Sequence, residues 1–182
     1  MNFTKLSTKL LLGFIVVAGS LTLANIILAE VSNSHAKSFI QYVQEEGANV
    51  NRGEQLVTAF KKQVQEWKNV LIRGSDAGQR DKYWTQFQEQ ESEVREILRE
   101  IVSTSKNAEA VKKLNQFNDL HLGRLADGYR QGFEAYISSG FDAGAGDRAV
   151  KGIDREPTQL LEDAAKILST SYYDTLEADQ EK

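Results

Sequence analysis

AKSFIQYVQEEGANVNRGEQLVTAFKKQVQEWKNVL, residues Ala36 to Leu71, sets Val43, Val50, Val57, Val64 and Leu71 at an unbroken seven-residue interval, with Phe39, Phe60 and Trp67 filling part of a second seam position. Such recurrence is what a helix shows when one stripe is held against other helices. The stretch lacks proline, and the whole 182-residue chain has one, so the residue that most strongly breaks helices is nearly absent. A helix is predicted from about residue 30 to 73, rising on the order of 65 Å at about 1.5 Å per residue.

Upstream, LLLGFIVVAGSLTLANIILA lies between Lys9 and Glu30 without a charge. About 20 apolar residues in helical form cross a bilayer core. Lys5 and Lys9 precede the stretch and Glu30 follows it, so the positive-inside rule puts residues 1–9 in the cytoplasm, the span at 10–29 and residues 30–182 outside, in a bacterial inner membrane. Ala18-Gly19-Ser20 offers the small residues of a signal-peptidase site. The apolar run continues past it through Leu28, longer than the roughly 7–15 residues of a secretory h-region, which favours an uncleaved anchor.

Downstream, Gly74-Ser75-Asp76-Ala77-Gly78 breaks the pattern, and Trp84, Phe87, Val94, Leu98 and Ile101 restart it. After Ser103–Asn107, a third stripe runs through Val111, Leu114, Phe117, His121, Leu125, Gly128 and Gly132. Beyond the glycine-rich Gly140–Gly146 stretch, Val150, Ile153, Leu160, Leu161, Ala164, Ile167 and Leu168 mark a fourth, with Pro157 kinking it or marking its start. Helices are expected at about 30–73, 81–103, 107–138 and 147–180. Short loops make them antiparallel neighbours in an all-α, up-down-up-down four-helix bundle.

The chain has a net charge of −4 and no basic excess for a phosphate backbone, which disfavours nucleic acid as a partner. With no cysteine there is neither a disulfide nor a thiolate metal site, and His35 and His121 fall on different predicted helices. No enzyme, catalytic residue, metal or cofactor is expected.

Glu91 falls seven residues after Trp84 and seven before Leu98, where a carboxylate is costly to bury unpaired. An internal salt bridge to Arg124 or Arg155 competes there with ligand binding. His121, on the third stripe, reads first as a hydrogen-bonded, partly buried histidine and second as a pH-sensitive contact. An antiparallel alignment also gathers Trp67, Arg73, Trp84, Phe87, Tyr129, Arg130, Phe133, Arg148, Lys151 and Arg155 at the end of the bundle farthest from the membrane. Aromatic walls with guanidinium heads suit a small organic anion, although the same residues also suit plain core and solvated surface. The candidate ligand-binding set is Trp67, Arg73, Trp84, Glu91, Arg124, Tyr129 and Arg155.

The segments QVQEWKNVLIRG (Gln63 to Gly74), YWTQFQEQE (Tyr83 to Glu91) and VKGIDREPTQLLEDAAK (Val150 to Lys166), with the N-terminal span, resemble the N-terminal region of methyl-accepting chemotaxis proteins. The resemblance implies a periplasmic four-helix-bundle sensor that works as a homodimer and signals across the membrane. Similar bundles stand before histidine kinases and diguanylate cyclases, and a membrane-anchored adaptor bundle is the other alternative. The second span, HAMP linker and signalling coiled coil that the family places next are lacking, and the sequence stops at Glu181-Lys182, so a fragment is expected.

Overall fold

A computed structural model describes the backbone of residues 3–180 and the side chains of residues 11–179. The side chains of Lys5 and Lys9, and the Glu181-Lys182 end, lie outside the described residues. The chain is all-α, with α1 (Phe3–Arg73), α2 (Ala77–Thr104), α3 (Ala108–Leu120), a π turn (His121–Leu125), α4 (Ala126–Ser138), α5 (Ala143–Val150) and α6 (Arg155–Gln180). It divides into two compact units, Met1–Val43 and Gln44–Lys182, and α1 contributes to both.

In the first unit the apolar side chains face outward: Leu11, Phe14, Val16, Leu23, Ile27 and Leu28 are all more than half exposed. The polar side chains of this stretch bond back to their own helix. Ser20 Oγ donates to Val17 O (2.8 Å), Thr22 Oγ1 to Ala18 O (2.9 Å) and Asn25 Nδ2 to Leu21 O (3.0 Å). A helix in hydrocarbon must satisfy its polar groups internally in this way. The stretch is a candidate membrane span by length and composition.

The second unit is the bundle. Along α1 and just past its end, the buried positions Glu46, Asn49, Gly53, Leu56, Phe60, Gln63, Trp67, Val70 and Gly74 follow one another in alternating three- and four-residue steps, with Ala59 and Leu71 buried beside them. This is the knobs-into-holes seam. The seven-residue series flanks it over Val50, Val57 and Val64, which are partly buried and pack against the core, and joins the core only at Leu71. Across the bundle Phe60 meets Phe117 edge-on (5.2 Å), and Trp67 meets Tyr129 (5.5 Å). On the flanks Arg52 pairs with Glu100 of α2, and Lys61 with Glu162 of α6, each at 2.8 Å.

Local chemistry sets the helix ends. Asp76 caps α2 by accepting from Gln79 N (2.9 Å), and Asn107 caps α3 by accepting from Ala110 N (3.0 Å). α4 ends in a Schellman motif: Gly140 (φ 73) donates to Ile137 O (3.1 Å) and Phe141 (φ 69) to Tyr136 O (2.9 Å). The accompanying apolar contact is the Phe141 ring against Tyr136 at 5.7 Å, and the Arg80 guanidinium lies over the Phe141 ring at 4.9 Å. The α1–α2 turn and the α4–α5 loop therefore share one end of the bundle.

Residues 147–180 contain the last half of α5, a turn at 151–154 and α6. Pro157 lies in the first turn of α6, where its missing N–H has no intrahelical acceptor to lose. The π turn has a consequence for packing. Ala126 N–H reaches back to His121 O, and the buried positions step Phe117, His121, Leu125, Tyr129 by fours before Gly132 and Tyr136 resume the alternation. One extra residue is thereby absorbed while the same face stays inward.

Candidate functional site

The aromatic residues of the expected distal site do converge. Trp84 stacks on Phe133 (4.2 Å) and Phe87 (5.1 Å), Phe87 meets Tyr129 at 4.9 Å, and Trp67 meets Trp84 at 6.4 Å. Trp67 and Tyr129 are almost fully buried, and these rings contact one another directly. Gly132 lets the bundle close here, since a Cβ on it would lie 2.8 Å from Val150 Cγ1 and 3.1 Å from the Trp67 ring. Trp67 Nε1 has no hydrogen-bond partner. Burial, followed by the nearby Asp154 carboxylate, pushes the Tyr129 phenol well above its ordinary value, so it stays neutral.

The charged members of the set are dispersed. Arg73, exposed at the end of α1, donates to Tyr83 Oη and lies over the Tyr83 ring at 5.4 Å. Arg124 pairs with Glu156 at 2.8 Å on the surface, and Arg155 is exposed at the start of α6. Glu91 pairs with Arg95 of its own helix at 2.9 Å, which corrects the expected bridge to Arg124 or Arg155. One helical turn separates Glu91 from Arg95, whereas the other two arginines lie on different helices.

Two buried polar layers are visible only once the α1 seam is known. At one end, Glu46 accepts from Lys106 N (2.6 Å) and Ser105 Oγ (3.1 Å), so its carboxylate caps the α2–α3 turn. Asn49 Oδ1 accepts from Thr104 Oγ1 (2.8 Å) and from Arg52 Nη1 (3.3 Å). In the middle of the bundle, His121 Nε2 donates to Gln63 Oε1 (2.9 Å), with the imidazole stacked on Phe117 at 5.2 Å. His121 is fully buried, and its Nδ1 has no partner. Burial, then the charge of Arg95, lowers its pKa to about 4, so the ring is neutral at pH 7. Gln90 Oε1, between Phe87 and Val94 on α2, is also buried without a partner.

Glu46, Asn49 and Gln63 were missed from sequence because the uniformly apolar valine series drew the seam to itself. Their signal was the three-and-four spacing they share with Leu56, Phe60, Trp67 and Val70. Among the described residues no three His, Asp or Glu side chains are placed to hold a metal.

No family model and no solved structure matches the chain. It is 42% identical over 103 residues to methyl-accepting chemotaxis protein CtpH of Pseudomonas aeruginosa; those residues are 57% of this chain and 18% of that receptor. The chain thus spans less than a fifth of the relative's length in the match. An all-α chain with a candidate membrane span near its N-terminus is therefore similar in sequence to part of a chemoreceptor.

Proposed function

We propose that the chain is the sensory part of a methyl-accepting chemotaxis receptor. Residues 10–29 anchor it in the inner membrane with the N-terminus cytoplasmic, and the bundle samples the periplasm for a small organic anion as a homodimer. The observation that carries this reading is the 42% identity to a chemotaxis receptor over 103 residues. The outward-facing apolar side chains of Leu11–Leu28 support the anchor, because a hydrocarbon surrounding makes such a surface favourable on a helix.

In this reading the bundle passes a shift of about 1–2 Å through α1 and α6 to the membrane, a displacement that packed helices accommodate by sliding. Such a role needs binding and conformational coupling, with no catalytic step.

Topology is directly testable because the chain has no cysteine. Ser75→Cys, in the α1–α2 turn, should react with a membrane-impermeant maleimide in intact cells, and Ser7→Cys only after permeabilisation. The reverse pattern would refute the periplasmic bundle.

A further inference from the structure

Between α2 and α3 lies a groove of about 440 Å³, within the roughly 300–1,000 Å³ typical of small-molecule sites. Its floor is apolar: Leu98 is buried, Val102 partly so, and Leu122 is 50% exposed. Its polar lining is all donor-bearing. Arg95 and Arg99 stand one turn apart on α2, Asn115 and Asn118 one turn apart on α3, and no carboxylate is among the lining residues.

Two guanidiniums line the groove and no carboxylate does, in a chain whose net charge is −4. Arg95 is engaged at Nη2 by Glu91, whereas Arg99 and the Asn115 and Asn118 amides have no partner within the described residues. Of the two guanidiniums, Arg99 is thus the one without an ion-pair partner among the described residues, which suits a single carboxylate. The α3 wall also contains Leu122, inside the π turn, and π turns recur where a helix does functional work.

We propose that this groove binds a small organic carboxylate. The carboxylate sits on the Arg99 fork, assisted by Arg95 and the two asparagine amides, and its carbon body lies on Leu98, Val102 and Leu122. This rests on the sensory reading above and places the ligand away from the Trp67–Trp84–Tyr129 cluster, whose rings already occupy one another's contact surfaces.

The test titrates butyrate into the full chain in nanodiscs, following the Asn115 and Asn118 side-chain amides and the two indoles by NMR, with affinity from calorimetry. Saturable shifts at those amides are expected. Arg99→Gln should weaken binding at least about tenfold, the scale of one lost charge-assisted contact, while Arg130→Gln on α4 leaves it unchanged. Butanol, lacking the charge, and sulfate, lacking the carbon body, should not saturate the site.

Silent amides, equal affinity in Arg99→Gln, or saturation by sulfate as strong as by butyrate would each overturn the proposal. Butyrate shifting only the Trp67 and Trp84 indoles would overturn the groove and leave the sensory reading standing. Binding in the groove by a chain whose maleimide pattern is reversed would uphold the groove and remove the periplasmic sensor.

Discussion

The bundle buries polar side chains in two places and treats them differently. At the α2–α3 turn, Glu46 spends both carboxylate oxygens on donors of the turn and Asn49 Oδ1 accepts from Thr104 and Arg52, leaving Asn49 Nδ2 as the unpaired atom of that layer. At mid-bundle, Gln63 and His121 satisfy one another through a single bond, while His121 Nδ1 and Gln90 Oε1 go unpaired. A buried group that closes a backbone turn stabilises the fold, because the N–H it accepts from, here that of Lys106, is then satisfied without water. A buried pair that leaves atoms unpaired costs stability.

The sharpest way to break that comparison is Glu46→Ala. It strips the α2–α3 turn of a carboxylate acceptor on one backbone N–H and one hydroxyl, and should cost about 2–3 kcal/mol in denaturant unfolding of the full chain. A loss below about 1 kcal/mol would mean that water replaces Glu46 and that the end layer is no staple.

The mid-bundle layer should instead reveal itself through pH. The folded-state pKa of His121 lies at about 4, below the ordinary 6.5, so between these values the unfolded chain binds the extra proton. Its contribution is complete above pH 6.5 and is lost progressively as pH falls towards 4, by roughly 3 kcal/mol in all at about 1.4 kcal/mol per pH unit. Gln63→Leu/His121→Leu removes both polar partners together. At pH 7 its stability should lie within about 1 kcal/mol of the parent or above it, and its melting temperature should fall less between pH 7 and 4.5. An identical acid slope in the two proteins would contradict a buried neutral imidazole.

The smallest effect is expected outside both layers. Arg124 and Glu156 are about half exposed, and Arg124→Ala should change stability by no more than ~0.5 kcal/mol, less still in high salt. A larger loss would mean that surface pairs, and not the two buried layers, distinguish regions of this bundle.

Composition and periodicity alone determined the helical class, the apolar N-terminal stretch and the breaks near Gly74 and Ser105, because helix breakers and hydrophobic period are local properties of the chain. They also brought Trp67, Trp84 and Tyr129 together, since antiparallel helices of known length fix which residues share a level. Only the tertiary structure decided which of two adjacent stripes on α1 faces inward. Val57 and Leu56 are neighbours on one helix, and the choice between them depends on what the other three rods present. The same holds for Glu91, whose nearest cation proved to be on its own helix, and for the α2–α3 groove, which exists only where two helix faces with separate sequence patterns meet.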